Sequence, residues 1–326
     1  MGKTTYLPLV SGLLRAFAET RNKIVQNYQF MPFLFHIDSP QSILSQYNSP
    51  SVAAFSVCMW NEQLCLKIAE EVKKKWPECL IIFGGPQVPH YPECYFSNHW
   101  FIDVTVRGEG EEPFANILDR YLTSPDFSGI FGVSWRHPIT REVIRNVEEQ
   151  PFKRDLDYYP SPYIENIYEE LLTENSDMNF QVIIETNRGC PFPCTFCYWG
   201  KGGLSRKYKF HGLERTFKEL EWCADHKIQY VFNADSNFGM HQRDQLIAKK
   251  LIELKSNFGF PEKFRTCYGK NTDERIFKIG ALFHKHGLEK GITLSRQSLN
   301  ENTLKTIKRN NIKLEVYSNL QRKFND

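Results

Sequence analysis

Three of the nine cysteines stand apart from the rest. Cys190, Cys194 and Cys197 fall in the run Glu185-Thr186-Asn187-Arg188-Gly189-Cys190-Pro191-Phe192-Pro193-Cys194-Thr195-Phe196-Cys197-Tyr198-Trp199-Gly200. The spacing is C-x₃-C-x₂-C, and it follows an apolar stretch that reads as a strand. Three thiolates on one tight loop suit one face of an iron–sulfur cluster, and three ligands for a four-iron cluster leave one iron open. Pro191 and Pro193 stiffen the loop, and Gly189 permits a tight turn. Phe192, Phe196, Tyr198 and Trp199 would keep bulk water from such a cluster. The competing reading is a structural zinc site. That needs four ligands, and the nearest fourth candidate, His211, has no second Cys/His pair at zinc-ribbon spacing. The other six cysteines, Cys58, Cys65, Cys79, Cys94, Cys223 and Cys267, read as small buried hydrophobes.

The elements around the cysteines alternate. Residues 30–36, 52–57, 80–83, 103–106 and 130–134 are short apolar runs bounded by Gly, Pro, Ser or Asn, and read as strands. Between them Leu64, Ile68, Val72 and Trp76 recur at helical spacing, and Pro77 stops that helix. Strand and helix in alternation imply a parallel sheet covered by helices. The charged, proline-rich stretch 142–162 reads as a domain boundary. Its Tyr158, Tyr159 and Tyr163 should lie along the following domain, since water is costly for them. Beyond it, strands at 180–186, 228–234, 264–268 and 291–294 alternate with helices at 213–226, 243–258, 272–286 and 301–309. Four βα units resemble an incomplete β/α barrel. The expected division is 1–141, a linker over 142–178, and 179–326.

Composition narrows the function classes. The chain has 326 residues, 41% apolar and 24% charged, as in an ordinary globular protein of two domains. Its net charge of +3 (41 basic minus 38 acidic) gives no case for nucleic-acid binding. No apolar run approaches the roughly 20 residues of a membrane span. An odd cysteine count without a signal peptide points to a reducing, cytoplasmic setting.

Two glycine runs sit where ligands approach open α/β sheets. Gly84-Gly85-Pro86 follows the strand at 80–83, and Arg107-Gly108-Glu109-Gly110-Glu111 follows the strand at 103–106 and opens a helix. Ser56 and Trp60 close the strand at 52–57.

The cysteine run resembles the signature of the radical S-adenosylmethionine (SAM) superfamily, with an aromatic residue just before the last cysteine. The order Leu7-Pro8-Leu9-Val10-Ser11-Gly12, Phe55-Ser56 with Trp60-Asn61, Gly84-Gly85-Pro86 and Arg107-Gly108-Glu109-Gly110-Glu111 resembles the cobalamin-binding domain fused ahead of many such barrels. The resemblance covers essentially the whole chain. It implies an α/β protein: a flavodoxin-like (doubly wound) cobalamin-binding domain, then a partial (β/α) radical SAM barrel. It implies a [4Fe-4S] cluster on Cys190, Cys194 and Cys197, and SAM beside Phe196, Tyr198, Asp235, Ser295 and Gln297. It implies cobalamin along Ser56, Trp60, Gly84, Gly85, Pro86, Gly108, Glu109 and Gly110. Where the family carries a Gly-Gly-Glu-like motif, this chain has Asn233-Ala234-Asp235-Ser236-Asn237. The Asp-x-His-x-x-Gly motif that ligates cobalt from below has no counterpart, and neither His36 nor His90 fits it, so the lower face is expected to lack a histidine.

The activity so implied is methyl transfer through methylcobalamin to an unactivated carbon or to phosphorus, after formation of a 5′-deoxyadenosyl radical. The alternatives are cobalamin-assisted rearrangement or cyclisation, and a cluster-binding fragment without turnover. The implied partners are a small-molecule substrate and an external electron donor such as flavodoxin or ferredoxin, with neither nucleic acid nor membrane. Six βα units are usual for these barrels and four are counted here. The chain therefore reads as a piece of a longer enzyme, with residues 1–5 too short to carry a strand.

Overall fold

The computed structural model describes residues 3–147, 155–197, 208–269, 274–292, 297–310 and 313–325. The chain divides into two compact units, Val10–Pro151 and Met1–Leu9 with Phe152–Asp326. The first described element is β1 (Thr4–Tyr6), which belongs to the second unit although it opens the chain. The expectation that residues 1–5 are too short for a strand is therefore corrected. Three residues suffice, because β1 borrows its hydrogen-bonding partner from a strand far along the chain, pairing Thr4 with Asn179 and Tyr6 with Gln181.

The unit Val10–Pro151 is built on a five-stranded sheet. Its strands are β2 (Val52–Ser56), β3 (Leu80–Gly84), β4 (Val104–Val106), β5 (Val133–Arg136) and β6 (Val143–Arg145), in that spatial order. β2, β3 and β4 are parallel, and β5 and β6 continue the sheet antiparallel. The sequence Leu-Ile-Ile-Phe of β3 is buried on both faces, as a central parallel strand requires. Helix Glu62–Lys75 lays Cys65, Leu66, Ile68, Ala69 and Val72 into the core beside Ile81 and Phe83. Lys73 spans from this helix to the sheet, donating to Asp103 Oδ2 at 2.8 Å, and Ile81 N–H donates to the same oxygen at 2.9 Å.

Residues 30–36 are irregular rather than a strand. Pro32 removes a ladder donor, and Phe30 and Phe33 instead lie under the Arg15 guanidinium, at 5.6 and 5.8 Å. The strand expected at 130–134 is shifted to Val133–Arg136, because Gly132 (φ +72°) turns the chain immediately before it. Cys94 and Cys267 are exposed and Cys58 is half-buried, so only Cys65, Cys79 and Cys223 of the six single cysteines are core residues.

The second unit carries the parallel sheet β1-β7-β10-β11, with β7 (Asn179–Ile184), β10 (Tyr230–Phe238) and β11 (Lys263–Tyr268). Between β7 and β10 lies a two-stranded ribbon, β8 (Asn187–Arg188) against β9 (Lys209–Phe210). Helices Leu213–Asp225, Arg243–Phe258, Glu274–Lys285 and Glu301–Thr306 follow in turn. Of the strand expected at 291–294, residues 291–292 are not in a strand and 293–294 lie outside the described residues. Tyr159 and Tyr163 are buried within this unit, and Tyr158 is exposed. The Tyr163 hydroxyl donates to Ile183 O at 2.5 Å, and its ring sits 5.0 Å from Trp222.

Candidate functional site

The long strand β10 places the chemistry. Its side chains alternate, so Val231, Asn233, Asp235 and Asn237 share the buried face. Three of those four are polar, an unusual interior that must be hydrogen-bonded to persist. Asn233 Nδ2 donates to Thr266 Oγ1 on β11 at 3.2 Å. Asp235, 1% exposed, accepts the backbone N–H of Thr186 at 2.7 Å and of Asn187 at 3.0 Å through one oxygen. Its other oxygen accepts a hydrogen bond from the Thr186 hydroxyl at 2.5 Å. Burial dominates its titration and pushes the carboxyl up to about 6, against its hydrogen bonds with Thr186, Asn233 and Asn187, which pull it down. Asp235 therefore anchors the junction where β7 ends and the cysteine loop begins.

The loop is held along its length. Gly189 has φ +89°, a conformation that favours glycine, and its carbonyl accepts the Ser236 hydroxyl at 2.6 Å. Asn237 Nδ2 donates to Cys190 Sγ at 3.2 Å. Arg309 Nη1 lies 3.5 Å from Cys194 Sγ, and Thr195 N–H donates to Ile307 O at 3.1 Å. Cys190 and Cys194 are buried and Cys197 is half-buried. Arg243 clamps the ribbon, donating to Thr186 O at 2.9 Å and to His211 O at 2.7 Å. Close by, Tyr208 OH, Asn187 Oδ1 and His241 Nε2 are buried without a hydrogen-bond partner among the described residues.

This donor set fits a thiolate-bound iron–sulfur cluster. N–H groups already point at two of the sulfurs, and hydrogen bonds to ligand sulfur are among the features that set such clusters. Among the described residues, no three His, Cys, Asp or Glu side chains gather to share a single ion. A multi-iron cluster needs its thiolates spread around it rather than meeting at one point. His211, 3% exposed, has its Nδ1 engaged with Asp157 Oδ1 at 3.1 Å.

Of the residues expected near SAM, Asp235 is committed to the loop junction and Phe196 is half exposed beside Cys197. Gln297 is half-buried at the start of the described segment that leads into helix Glu301–Thr306. Tyr198 and Ser295 lie outside the described residues.

In the unit Val10–Pro151 the sheet register sets Ser56, Gly84 and Val106 in one row at the carboxyl edge of β2–β4. The loops after that row carry Trp60, Gly85, Pro86, Gly108, Glu109 and Gly110, so the expected cobalamin residues share one edge. Trp60 is 75% exposed. Asn61 shapes its turn, accepting from Cys58 N at 2.7 Å and donating to Ser56 O at 2.9 Å. The two adjacent glycines differ. A Cβ on Gly85 (φ +113°) would stand 2.6 Å from Val57 O, so backbone packing requires glycine there. A Cβ on Gly84 would meet Val106 at an ordinary 3.8 Å, so the packing does not. His90 Nε2 is 3.3 Å from Arg145, and His36 packs on Phe35 at 4.0 Å between ring centres.

No protein-family model matches the chain. It is 37% identical, over 98% of its length, to 2-(S-pantetheinyl)-carbapenam-3-carboxylate methyltransferase of Streptantibioticus cattleyicolor, of which it covers 47%. It is 36% identical to the cobalamin-dependent radical SAM methyltransferase TokK of Streptomyces tokunonensis, again over 98% of this chain and 47% of that one. Over nearly its whole length the chain is thus similar to a cobalamin-dependent radical SAM methyltransferase. It spans about half the length of the curated superfamily relatives it matches. The fold agrees with that of the radical SAM methyltransferase TsrM of Kitasatospora setae, with a TM-score of 0.69 at 15% identity, covering 98% of this chain and 63% of that one. The two side chains that reach the cysteine sulfurs are Asn237 and Arg309. Neither residue has a sequence signal of its own beyond the alternation Asn233, Asp235, Asn237.

Proposed function

We propose that the protein carrying this chain is a cobalamin-dependent radical SAM methyltransferase acting on a small molecule. The observation that carries the reading is the cysteine loop: three cysteines after a parallel strand, with Asn237 and Arg309 N–H groups directed at two of the sulfurs. Cys190, Cys194 and Cys197 would hold the cluster. Phe196 and Gln297 would lie beside SAM, with Tyr198 and Ser295 as further candidates. Ser56, Trp60, Gly84, Gly85, Pro86, Gly108, Glu109 and Gly110 would line the cobalamin. When bound, these groups supply the electron for SAM cleavage and a carrier for the methyl group.

The chain's own residues prepare that chemistry. Asp235 fixes the strand-to-loop junction, so the cysteines start from a defined point. Asn237 and Arg309 orient two thiolates. Gly85 lets the loop after β3 press against Val57, which keeps the sheet edge level. Trp60 offers an exposed apolar face to a flat cofactor. The similarity to two methyltransferases supports methyl transfer over rearrangement. An external flavodoxin or ferredoxin would deliver the electron.

The test is anaerobic reconstitution of the full-length protein. It should bind iron, sulfide and cobalamin, and turnover should release S-adenosylhomocysteine together with 5′-deoxyadenosine. Release of 5′-deoxyadenosine alone would reject methyl transfer.

A further inference from the structure

Arg309 is a charged side chain in a place that is hard on charge. It is 6% exposed, and among the described residues no carboxylate pairs with it. Its guanidinium stands 4.7 Å over the Phe192 ring, Nη1 is 3.5 Å from Cys194 Sγ, and Nε is buried without an acceptor among the described residues. Arginine stays protonated in proteins, so burial cannot be relieved by losing the proton. A neutral thiol is a weak acceptor and offsets little of that cost. An iron-bound thiolate offsets much more, since three thiolates leave an oxidised four-iron cluster negative, and reduction by one electron makes it more so.

The position is built rather than incidental. Arg309 N–H donates to Leu304 O at 2.9 Å, closing the turn after helix Glu301–Thr306. Two residues earlier, Ile307 O accepts Thr195 N–H at 3.1 Å, which ties that turn to the residue after Cys194. Asn237 makes the corresponding contact to Cys190 with a neutral amide. The two donors therefore differ in kind: both orient a sulfur, and only Arg309 brings charge.

We propose that Arg309 is a positioning residue for the iron–sulfur cluster, holding the Cys194 thiolate and, by its fixed positive charge, making the cluster easier to reduce before SAM is present. This rests on the reading that Cys190, Cys194 and Cys197 hold the cluster. Net charge and hydrogen bonds to ligand sulfur are general determinants of cluster potential, and a buried cation acts on them at short range.

The experiment uses full-length protein reconstituted anaerobically, with the variants Arg309→Gln, Arg309→Lys and Cys190→Ala. Iron and sulfide per chain are measured first. A dithionite titration without SAM then follows the paramagnetic signal of the reduced cluster. Arg309→Gln should load iron and shift the reduction equilibrium about tenfold against reduction, about 59 mV for one electron. Arg309→Lys should recover most of that shift. Coincident titrations of Arg309→Gln and wild type overturn the proposal, as does a shift that emerges only after SAM is added. If Arg309→Gln takes up no cluster, Arg309→Lys decides: uptake restored by a charged side chain supports the proposal, and uptake lost in both variants overturns it. Wild-type protein that binds no iron, or Cys190→Ala that binds as much as wild type, would sink the cluster reading itself.

Discussion

The two units present their candidate sites in opposite ways. In the second unit the site is made of side chains. A buried strand face carries Asn233, Asp235 and Asn237, and these hold a loop of three cysteines. In the first unit the strands are apolar, and the candidate site is a row of backbone positions, Ser56, Gly84 and Val106, with loops just beyond it. Thiolates have to be directed at a cluster, so their supports are specific hydrogen bonds. A large flat cofactor needs room and a level edge, so its supports are small residues and register.

The contrast can be broken by mutation. Its largest expected effect is at the cysteines: Cys190→Ala, Cys194→Ala or Cys197→Ala should each bring bound iron to background, read by iron analysis and the loss of cluster absorbance. Ile81→Ala, in the apolar core of the first unit, should cost about 2–5 kcal/mol of that unit's stability. Iron per chain should not change. A matching loss of iron would mean that the two sites are not separable.

Asp235 sharpens the comparison through pH. Its carboxyl titrates near 6 in the folded chain against an ordinary value of 3.8. Between those values the folded state keeps a proton that the unfolded state has released. Stability should therefore fall as pH rises from about 4 to about 6, by about 3 kcal/mol, and level off above. Asp235→Asn should remove that slope in denaturant unfolding followed across the window. An unchanged slope would place the proton uptake elsewhere.

The smallest effects separate the neighbouring glycines. Gly85→Ala should destabilise the first unit by about 1–3 kcal/mol, since it forces a Cβ against Val57 at positive φ. Gly84→Ala should move the melting point little, because its Cβ has room. It should instead weaken cobalamin retention, measured by equilibrium dialysis. Equal losses of stability at both positions would remove the distinction.

Much of the fold was readable because its signals are local. The helix expected at 213–226 is found at Leu213–Asp225, and that expected at 243–258 is Arg243–Phe258. Apolar periodicity and flanking breakers lie within a few residues of each other there. What escaped was non-local. β1 is three residues long and is a strand only because β7 lies beside it. Residues 30–36 looked strand-like by composition, while Pro32 and the Arg15 contacts decided otherwise. At the candidate site, the cysteine spacing stands out because it is compressed into eight residues. Arg309 meets Cys194 from 115 residues away, and nothing in its own neighbourhood marks it. Asp235 was visible as a carboxylate near a strand end, but its hold on Thr186 and Asn187 depends on β10 lying beside β7.

The placement of β1 has a consequence for how the protein is made. β1 leaves the ribosome well before its partner β7, which follows about 170 residues later, so the sheet can close only across a long excursion. The intervening unit, Val10–Pro151, has its own core and can fold during that wait. A folded insert shortens the effective loop that must close. A lesion such as Ile81→Ala would then delay assembly of the cysteine-bearing sheet during synthesis, even where the finished protein binds iron normally.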